Sequence, residues 1–116
     1  MITYHGSCHC GAVVYEAQAD LTNVMTCNCS HCSRKGFVLA FIPAAQFTLK
    51  KGQENLTEYR FNKKSIAHLF CTTCGVESFA RGKDEKENET VMINARCLQG
   101  VDVSTLKTTE FNGKEY

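Results

Sequence analysis

The amino-acid sequence predicts an all-β, loop-rich domain of several small antiparallel sheets that is stapled by bound zinc. Its apolar residues fall in short runs of strand length separated by turn-forming residues. Between residues 56 and 71 the apolar side chains are mainly aromatic or branched and form no helical stripe. Eight of the 116 residues are cysteines, and seven of them lie in close clusters. The length fits one domain, residues 1–116, whose limited core would gain from cross-links.

Nine strands are predicted from these runs, taken in chain order. They are residues 2–5, 12–17, 24–27, 37–42, 47–50, 56–61, 66–71, 77–80 and 91–95. Pro43 is expected to begin one helical turn that runs to Gln46, because proline suits the first position of a helix. Residues 83–89 are charged or polar and predict a solvated loop, and residues 101–106 predict a short helical turn.

The cysteine spacing favours metal binding over disulfide bonds. The patterns C-x-C, C-x-C-x-x-C and C-x-x-C are typical of metal ligands. No apolar signal-peptide region follows Met1, and no run approaches the roughly 20 apolar residues of a membrane span. We therefore expect a cytoplasmic protein that does not enter a membrane. The formal net charge of +1 gives no basic footprint for nucleic acid.

Two cysteine pairs, Cys8/Cys10 and Cys71/Cys74, can together close a four-thiolate zinc site. Gly75 follows the second pair and permits a positive φ, so that backbone N–H groups can point at the sulfurs. Redox dithiols share the C-x-x-C spacing, but they usually open a helix in a βαβ unit, which this sequence does not predict. A closed tetrahedral site is structural, and its zinc contributes about 10–16 kcal/mol of apparent binding free energy. That exceeds the net stability of a typical domain.

The cluster Cys27-Asn28-Cys29-Ser30-His31-Cys32 supplies three further thiols within six residues. Three thiolates can hold a zinc ion and leave its fourth position to water or substrate. Alternatively, a fourth protein ligand completes a second structural site, or one of the paired cysteines joins this cluster in a three-plus-one arrangement. The candidates for the fourth protein ligand are His9, His31, His68 and a distant cysteine.

A zinc ion held by three thiolates carries a net charge of −1. It is therefore a weaker Lewis acid than zinc held by three histidines and is less suited to generating hydroxide. A soft fourth ligand such as a thiolate, or a small carbonyl beside one, fits it better. The site therefore indicates sulfur chemistry rather than amide or phosphate hydrolysis.

The remaining candidates have ordinary explanations as well as functional ones. Cys97 is expected to be a buried free thiol, with a place in a site as the alternative. His68 is expected to be a core histidine that donates to a backbone carbonyl, with a contact to substrate or to a metal ligand as the alternative. Arg34, Lys35 and Arg96 are cations that can pair with a substrate carboxylate.

Five segments together resemble the family of glutathione-dependent formaldehyde-activating enzymes and centromere protein V. They are GSCHCGAVVYEA (6–17), CNCSHC (27–32), LTEYRFNKKSIAHLFCTTCGVESFARG (56–82), NARCLQGVD (94–102) and EFNG (110–113). The resemblance covers nearly the whole chain in family order. It implies the Mss4-like fold, in which several small coiled antiparallel sheets surround a zinc site.

The resemblance also implies which residues bind metal and what they do. A structural zinc falls to Cys8, Cys10, Cys71 and Cys74, and a second, more labile zinc falls to the catalytic residues Cys27, Cys29 and Cys32. The implied activity is that of a carbon–sulfur lyase that joins a small thiol such as glutathione to formaldehyde or another small aldehyde, or cleaves the S-hydroxymethyl product. A non-catalytic zinc-stapled binding module and a zinc or redox sensor are the alternatives.

Overall fold

The computed structural model describes residues 2–61 and 65–113. The described part leaves out residue 1, residues 62–64 and residues 114–116. Residues 62–64 belong to the segment 56–82 quoted above. Within it the chain forms ten strands, one α-helix and four single turns of 3₁₀ helix. The strands are β1 (Ile2–Ser7), β2 (Val14–Ala19), β3 (Val24–Cys27), β4 (Leu39–Pro43), β5 (Phe47–Lys51), β6 (Leu56–Tyr59), β7 (Ala67–Cys71), β8 (Glu77–Lys83), β9 (Glu89–Asn94) and β10 (Thr108–Phe111). The helix is α1 (Ser30–Lys35), and the 3₁₀ turns are Ala44–Gln46, Gln53–Asn55, Ala95–Cys97 and Val103–Thr105.

The strands form two sheets. The smaller sheet has the order β1-β2-β5, and the larger has the order β10-β3-β4-β9-β8-β7-β6. All pairs are antiparallel except β10 and β3, which are parallel. Two register shifts occur, one in β2 opposite β5 and one between β7 and β8.

The core lies between the two sheets and is centred on three aromatic rings. Tyr15 and Phe47 of the smaller sheet and Phe79 of the larger pack with ring centroids 4.6–5.8 Å apart. Tyr15 and Phe79 are fully buried, and the Tyr15 hydroxyl donates to the carbonyl of Ser78 at 3.4 Å. Aromatic pairs of this kind contribute about 0.5–1.5 kcal/mol beyond the area they bury. This contact fixes one sheet against the other, and thereby the cysteines that each sheet carries.

The all-β prediction is confirmed, and the predicted strands correspond to β1–β9 with small changes at their ends. Pro43 precedes its 3₁₀ turn rather than opening it, since the turn spans Ala44–Gln46. The predicted helical turn in residues 101–106 is the 3₁₀ turn Val103–Thr105. Four elements were not predicted: the 3₁₀ turns Gln53–Asn55 and Ala95–Cys97, and α1 and β10, which both lie beside the three-cysteine cluster.

The helix α1 depends on its end groups rather than on an apolar face. Cys29 is its N-cap residue, and the Cys29 sulfur accepts the N–H of Cys32 at 3.3 Å. Gly36 ends the helix in the left-handed conformation, with φ of 70°, and its N–H donates to the Cys32 carbonyl. Cys32 is the only buried residue of the six. A helix this short needs such caps because its own hydrogen bonds are few.

Candidate metal centres and the adjoining cavity

Four cysteines from two distant parts of the chain meet where β1 of the smaller sheet and β7 of the larger sheet end. Their sulfurs all lie within 4.8 Å of one another, and the set is Cys8, Cys10, Cys71 and Cys74. The Cys8–Cys10 sulfurs are 3.7 Å apart and the Cys10–Cys71 sulfurs 3.6 Å apart. Sulfurs held tetrahedrally about 2.3 Å from zinc lie about 3.8 Å apart. The residues present therefore fit a four-thiolate zinc ion, and we call this set the quartet.

Backbone hydrogen bonds to two of the quartet sulfurs, those of Cys71 and Cys74, favour the thiolate form. Val13 N–H donates to the Cys8 sulfur at 3.3 Å, and Asn55 Nδ2 donates to the Cys71 sulfur at the same distance. The N–H of Cys74 lowers the pKa of Cys71, and the N–H of Val76 lowers the pKa of Cys74 to about 6. Gly75 has φ of 80°, as its position after the cysteine pair predicts, and this lets the chain turn under the sulfurs.

The second set, which we call the trio, lies where β3 passes into α1. The sulfurs of Cys27, Cys29 and Cys32 lie within 4.8 Å of one another. In the described part of the chain no further Cys, His, Asp or Glu ligand atom joins them within that distance. None of the eight cysteines, all of which are described, forms a disulfide bond. The three thiols fit a zinc ion, and the described residues supply no Cys, His, Asp or Glu ligand to its fourth coordination position.

The three trio thiols differ in their surroundings. Burial raises the pKa of Cys32, and the neighbouring sulfurs of Cys29 and Cys27 raise it further. Burial acts in the same direction on Cys29, but the N–H of Cys32 and the adjacent thiols outweigh it and lower the pKa of Cys29. Cys29, at the start of α1, is therefore the trio member that loses its proton most easily.

The strand β10 covers one side of the trio. Phe111 pairs with Cys27 in the parallel ladder, and Asn28 N–H donates to the Phe111 carbonyl at 3.2 Å. The Asn28 side chain donates to Asn112 Oδ1 at 2.9 Å. Gly113 follows, and a β-carbon at this position would collide with the Cys27 sulfur. The close approach of this backbone to the trio therefore requires glycine.

A cavity of about 420 Å³ opens beside the trio. All three trio cysteines line it, and most of the other lining side chains are apolar, among them Met25, Leu39, Phe41, Phe61, Ile66, Met92 and Phe111. Among the described residues, His68 and Glu77 are the only lining residues with titratable side chains apart from the cysteines. The space suits a small organic molecule.

His31, His68 and Glu77 form a third group of side chains with the spacing of metal ligands, and two of them, His68 and Glu77, line this cavity. His68 Nδ1 lies 3.0 Å from Glu77 Oε2, and the two side chains are 8% and 3% exposed. The prediction that His68 donates to a backbone carbonyl is therefore wrong for Nδ1, whose partner is a carboxylate. The rings of His31 and His68 lie 4.2 Å apart, and both pack against Phe61.

His31 does not complete the trio, although it lies between two of its members in the sequence. Its Nδ1 is buried without a hydrogen-bond partner among the described residues. Burial, with the nearby His68 and Lys35, lowers the pKa of His31 to about 4, so the ring is neutral near pH 7. His68 also lies outside the trio, and His9 is exposed.

The other predicted residues lie away from the cavity wall. Cys97 is partly buried rather than buried, and its thiol lies 4.0 Å from the Glu77 carbonyl. Arg96 Nε donates to the Gly36 carbonyl at 2.9 Å, and Arg34 Nη1 donates to the Ser30 carbonyl at 2.7 Å. Arg34 and Lys35 line a separate hollow of about 370 Å³ together with His31.

Sequence reasoning missed Glu77 and the role of Gly113. A charged residue in the segment Val76–Ala80, whose other members are uncharged, was the available signal for Glu77. Its position depends on the register shift between β7 and β8, which pairs Phe70 with Glu77 rather than with Ser78. The shift brings Glu77 to the sheet face that carries Phe70 and His68.

The fold and its clusters define an all-β protein with two cysteine sets of metal-binding geometry, one of which opens into an apolar cavity. Residues 3–111 match the family described as glutathione-dependent formaldehyde-activating enzyme. The chain belongs to this family, so its function is related to thiol and aldehyde chemistry.

A solved protein is similar over the same region. It is a Rhodobacter sphaeroides protein whose crystal structure superposes with a TM-score of 0.78 at 30% sequence identity. The match covers 93% of this chain and 100% of that one. In the described part of the chain no helix has the length and apolarity needed to cross a membrane.

Proposed function

We propose that this protein is a zinc-dependent enzyme that adds a small thiol to formaldehyde or a similar aldehyde, or cleaves the resulting carbon–sulfur bond. The observation that supports it is the trio, whose three sulfurs line an apolar cavity and gain no fourth Cys, His, Asp or Glu ligand from the described residues. In the synthetic direction the thiol sulfur bonds to the carbonyl carbon, and the thiol proton passes to the carbonyl oxygen. The reverse direction breaks the same carbon–sulfur bond.

Cys27, Cys29 and Cys32 would hold the zinc. A zinc ion bound there would stabilise the thiolate form of the substrate thiol. The residues of the chain hold the reactants near each other and keep water away. The apolar wall formed by Phe37, Leu39 and Met92 favours the aldehyde over its more polar hydrate, which carries two hydroxyl groups. Proximity is the main contribution, because the uncatalysed addition is already feasible.

The quartet would hold a second, structural zinc. Its support is the match between the observed sulfur separations and those of a tetrahedral zinc–thiolate site. We assign it no part in the reaction, because four thiolates leave no position for a substrate.

Exchange of formaldehyde with a thiol, followed by NMR, tests this proposal. We expect the zinc-loaded protein to accelerate exchange and the Cys29→Ser variant to lose most of the acceleration while retaining the quartet zinc. Thr73→Ser, next to the quartet, is a matched control and should exchange at the wild-type rate. Rates that match the protein-free reaction for glutathione, cysteine and 2-mercaptoethanol alike would contradict the proposal and favour a binding module.

A further inference from the structure

We propose that His31, His68 and Glu77 form a third metal site, which binds a divalent transition-metal ion beside the trio. The three residues come from α1, β7 and β8 and belong to neither cysteine set. The site is therefore independent of the zinc ions proposed above, and its occupancy does not depend on the reaction assigned to the trio.

The donor atoms have the spacing of metal ligands. One donor atom from each residue lies within 4.8 Å of the others. His68 Nδ1 and Glu77 Oε2 are 3.0 Å apart, which is the separation of two ligands set at right angles about 2.1 Å from one ion. The antiparallel ladder between β7 and β8 holds this pair, and the capped turn of α1 brings His31 to it.

Two polar atoms of the cluster lack partners, although they are buried. His31 Nδ1 and Glu77 Oε1 have no hydrogen-bond partner in the described part of the chain. A buried polar atom without a partner costs about 1–3 kcal/mol, and more when it carries charge. One cation placed among the three side chains would satisfy both atoms at once.

The charge of the cluster also favours a cation. In the described part of the chain the imidazole of His68 is the only basic group within 4.0 Å of the Glu77 carboxylate, whose side chain is 3% exposed. Two imidazoles and one carboxylate are a common ligand set for zinc and for non-haem iron, and they leave coordination positions free. We therefore assign the site to an ion of this class, such as Zn²⁺, Fe²⁺ or Co²⁺.

The free positions would face the same cavity as the trio, because His68 and Glu77 line it. An ion with nitrogen and oxygen ligands prefers harder ligands than a thiolate-bound ion does. Under the proposed function, the trio would then receive the thiol sulfur and this site the aldehyde oxygen. That assignment rests on the proposed function, whereas the metal site itself does not.

Titration of the zinc-loaded protein with Co²⁺ tests the site. We expect about one further equivalent of cobalt to bind per chain, with visible d–d absorption and without a sulfur-to-cobalt charge-transfer band. Glu77→Gln and His31→Gln should each weaken this binding at least tenfold, because each removes a ligand. The exposed residues Glu89 and His5 provide matched controls, and Glu89→Gln and His5→Gln should bind cobalt as the wild type does.

Three results would overturn the proposal. The first is that no cobalt binds beyond the amount that replaces zinc. The second is a charge-transfer band, which would place the cobalt on sulfur. The third is that Glu77→Gln binds cobalt with the affinity of the wild type. The last result would show that the added cobalt binds without Glu77, and therefore at another place on the protein. Zinc content and circular dichroism show whether each variant is folded, and the His31→Gln arm decides the matter if Glu77→Gln does not fold. These measurements do not use formaldehyde exchange, so the proposed third metal site and the proposed function are tested separately.

Discussion

The quartet and the trio both offer sulfur ligands, but they connect different parts of the chain. The quartet connects Cys8 and Cys10, which follow β1 of the smaller sheet, with Cys71 and Cys74 at the end of β7 in the larger sheet. Cys10 and Cys71 are 61 residues apart in sequence. The trio lies within six residues between β3 and α1. A cross-link stabilises in proportion to the chain entropy it removes, which grows with the loop it closes. The same ion should therefore stabilise the fold at the quartet and much less at the trio.

The two sets also differ in what they leave accessible. The quartet uses four sulfurs around one point, so an ion there has no free position. The trio uses three and faces a cavity of about 420 Å³. The comparison teaches that cysteine number and chain connection, rather than cysteine chemistry, separate a structural metal site from one that can receive a ligand.

Removal of one cysteine from each set is the most direct test of this difference between the quartet and the trio. We expect Cys71→Ser to unfold the protein, because structural zinc contributes about 10–16 kcal/mol and a domain's net stability is about 5–15 kcal/mol. Cys29→Ser should remain folded and lose about one zinc ion per chain. Thermal melting by circular dichroism, with elemental zinc analysis, measures both. Equal loss of structure in the two variants would end the distinction.

Gly113 provides a smaller change that acts on the trio alone. Gly113→Ala adds a β-carbon that collides with the Cys27 sulfur, so we expect weaker trio zinc and at least tenfold slower formaldehyde exchange with the fold retained. Lys107→Ala, at an exposed position just before β10, is the control and should change neither property. Competition with a chelator measures the zinc affinity. Wild-type affinity in Gly113→Ala would show that the segment after β10 can move away from the trio.

The smallest expected effect concerns the charge beside the trio. Arg34 and Lys35 end α1 and line the hollow of about 370 Å³, where they can attract a thiol that carries carboxylates. Exposed ion pairs contribute about 0.2–1 kcal/mol each, so Arg34→Gln alone or Lys35→Gln alone should raise the KM for glutathione about 1.4- to fivefold. The KM for 2-mercaptoethanol, which has no carboxylate, should stay the same. An equal rise for both thiols would point to a disturbed trio rather than to lost recognition.

The sequence predicted the strands and the cysteine sets because both leave local patterns. Strands such as β2 and β9 contain short apolar runs, and cysteine spacing limits which sulfurs can share an ion. The helix α1 leaves no such pattern, since Cys32 is its only buried residue and its caps are a sulfur and Gly36. The strand β10 is exposed at all four residues, so it has no alternation of buried and exposed positions. The residues of β10 are in strand conformation because they pair with β3.

The third cluster could not be predicted from spacing, because its members are joined only by the fold. His68 and Glu77 are nine residues apart on two antiparallel strands, and a regular register would pair Phe70 with Ser78 instead of Glu77. His31 approaches them only because α1 forms. Sequence pattern therefore predicts sites whose ligands come in close pairs or triplets along the chain more readily than sites that depend on a bulge and a capped helix.

The strand that covers the trio is an edge strand, since β10 pairs with β3 alone and ends the larger sheet. Edge ladders fray at a lower free energy than the whole molecule needs to unfold. A brief separation of four residues would expose the trio sulfurs while the aromatic core stayed closed. Delivery and loss of the trio ion would then follow the kinetics of that local fraying, whereas the quartet ion would leave only when the two sheets came apart.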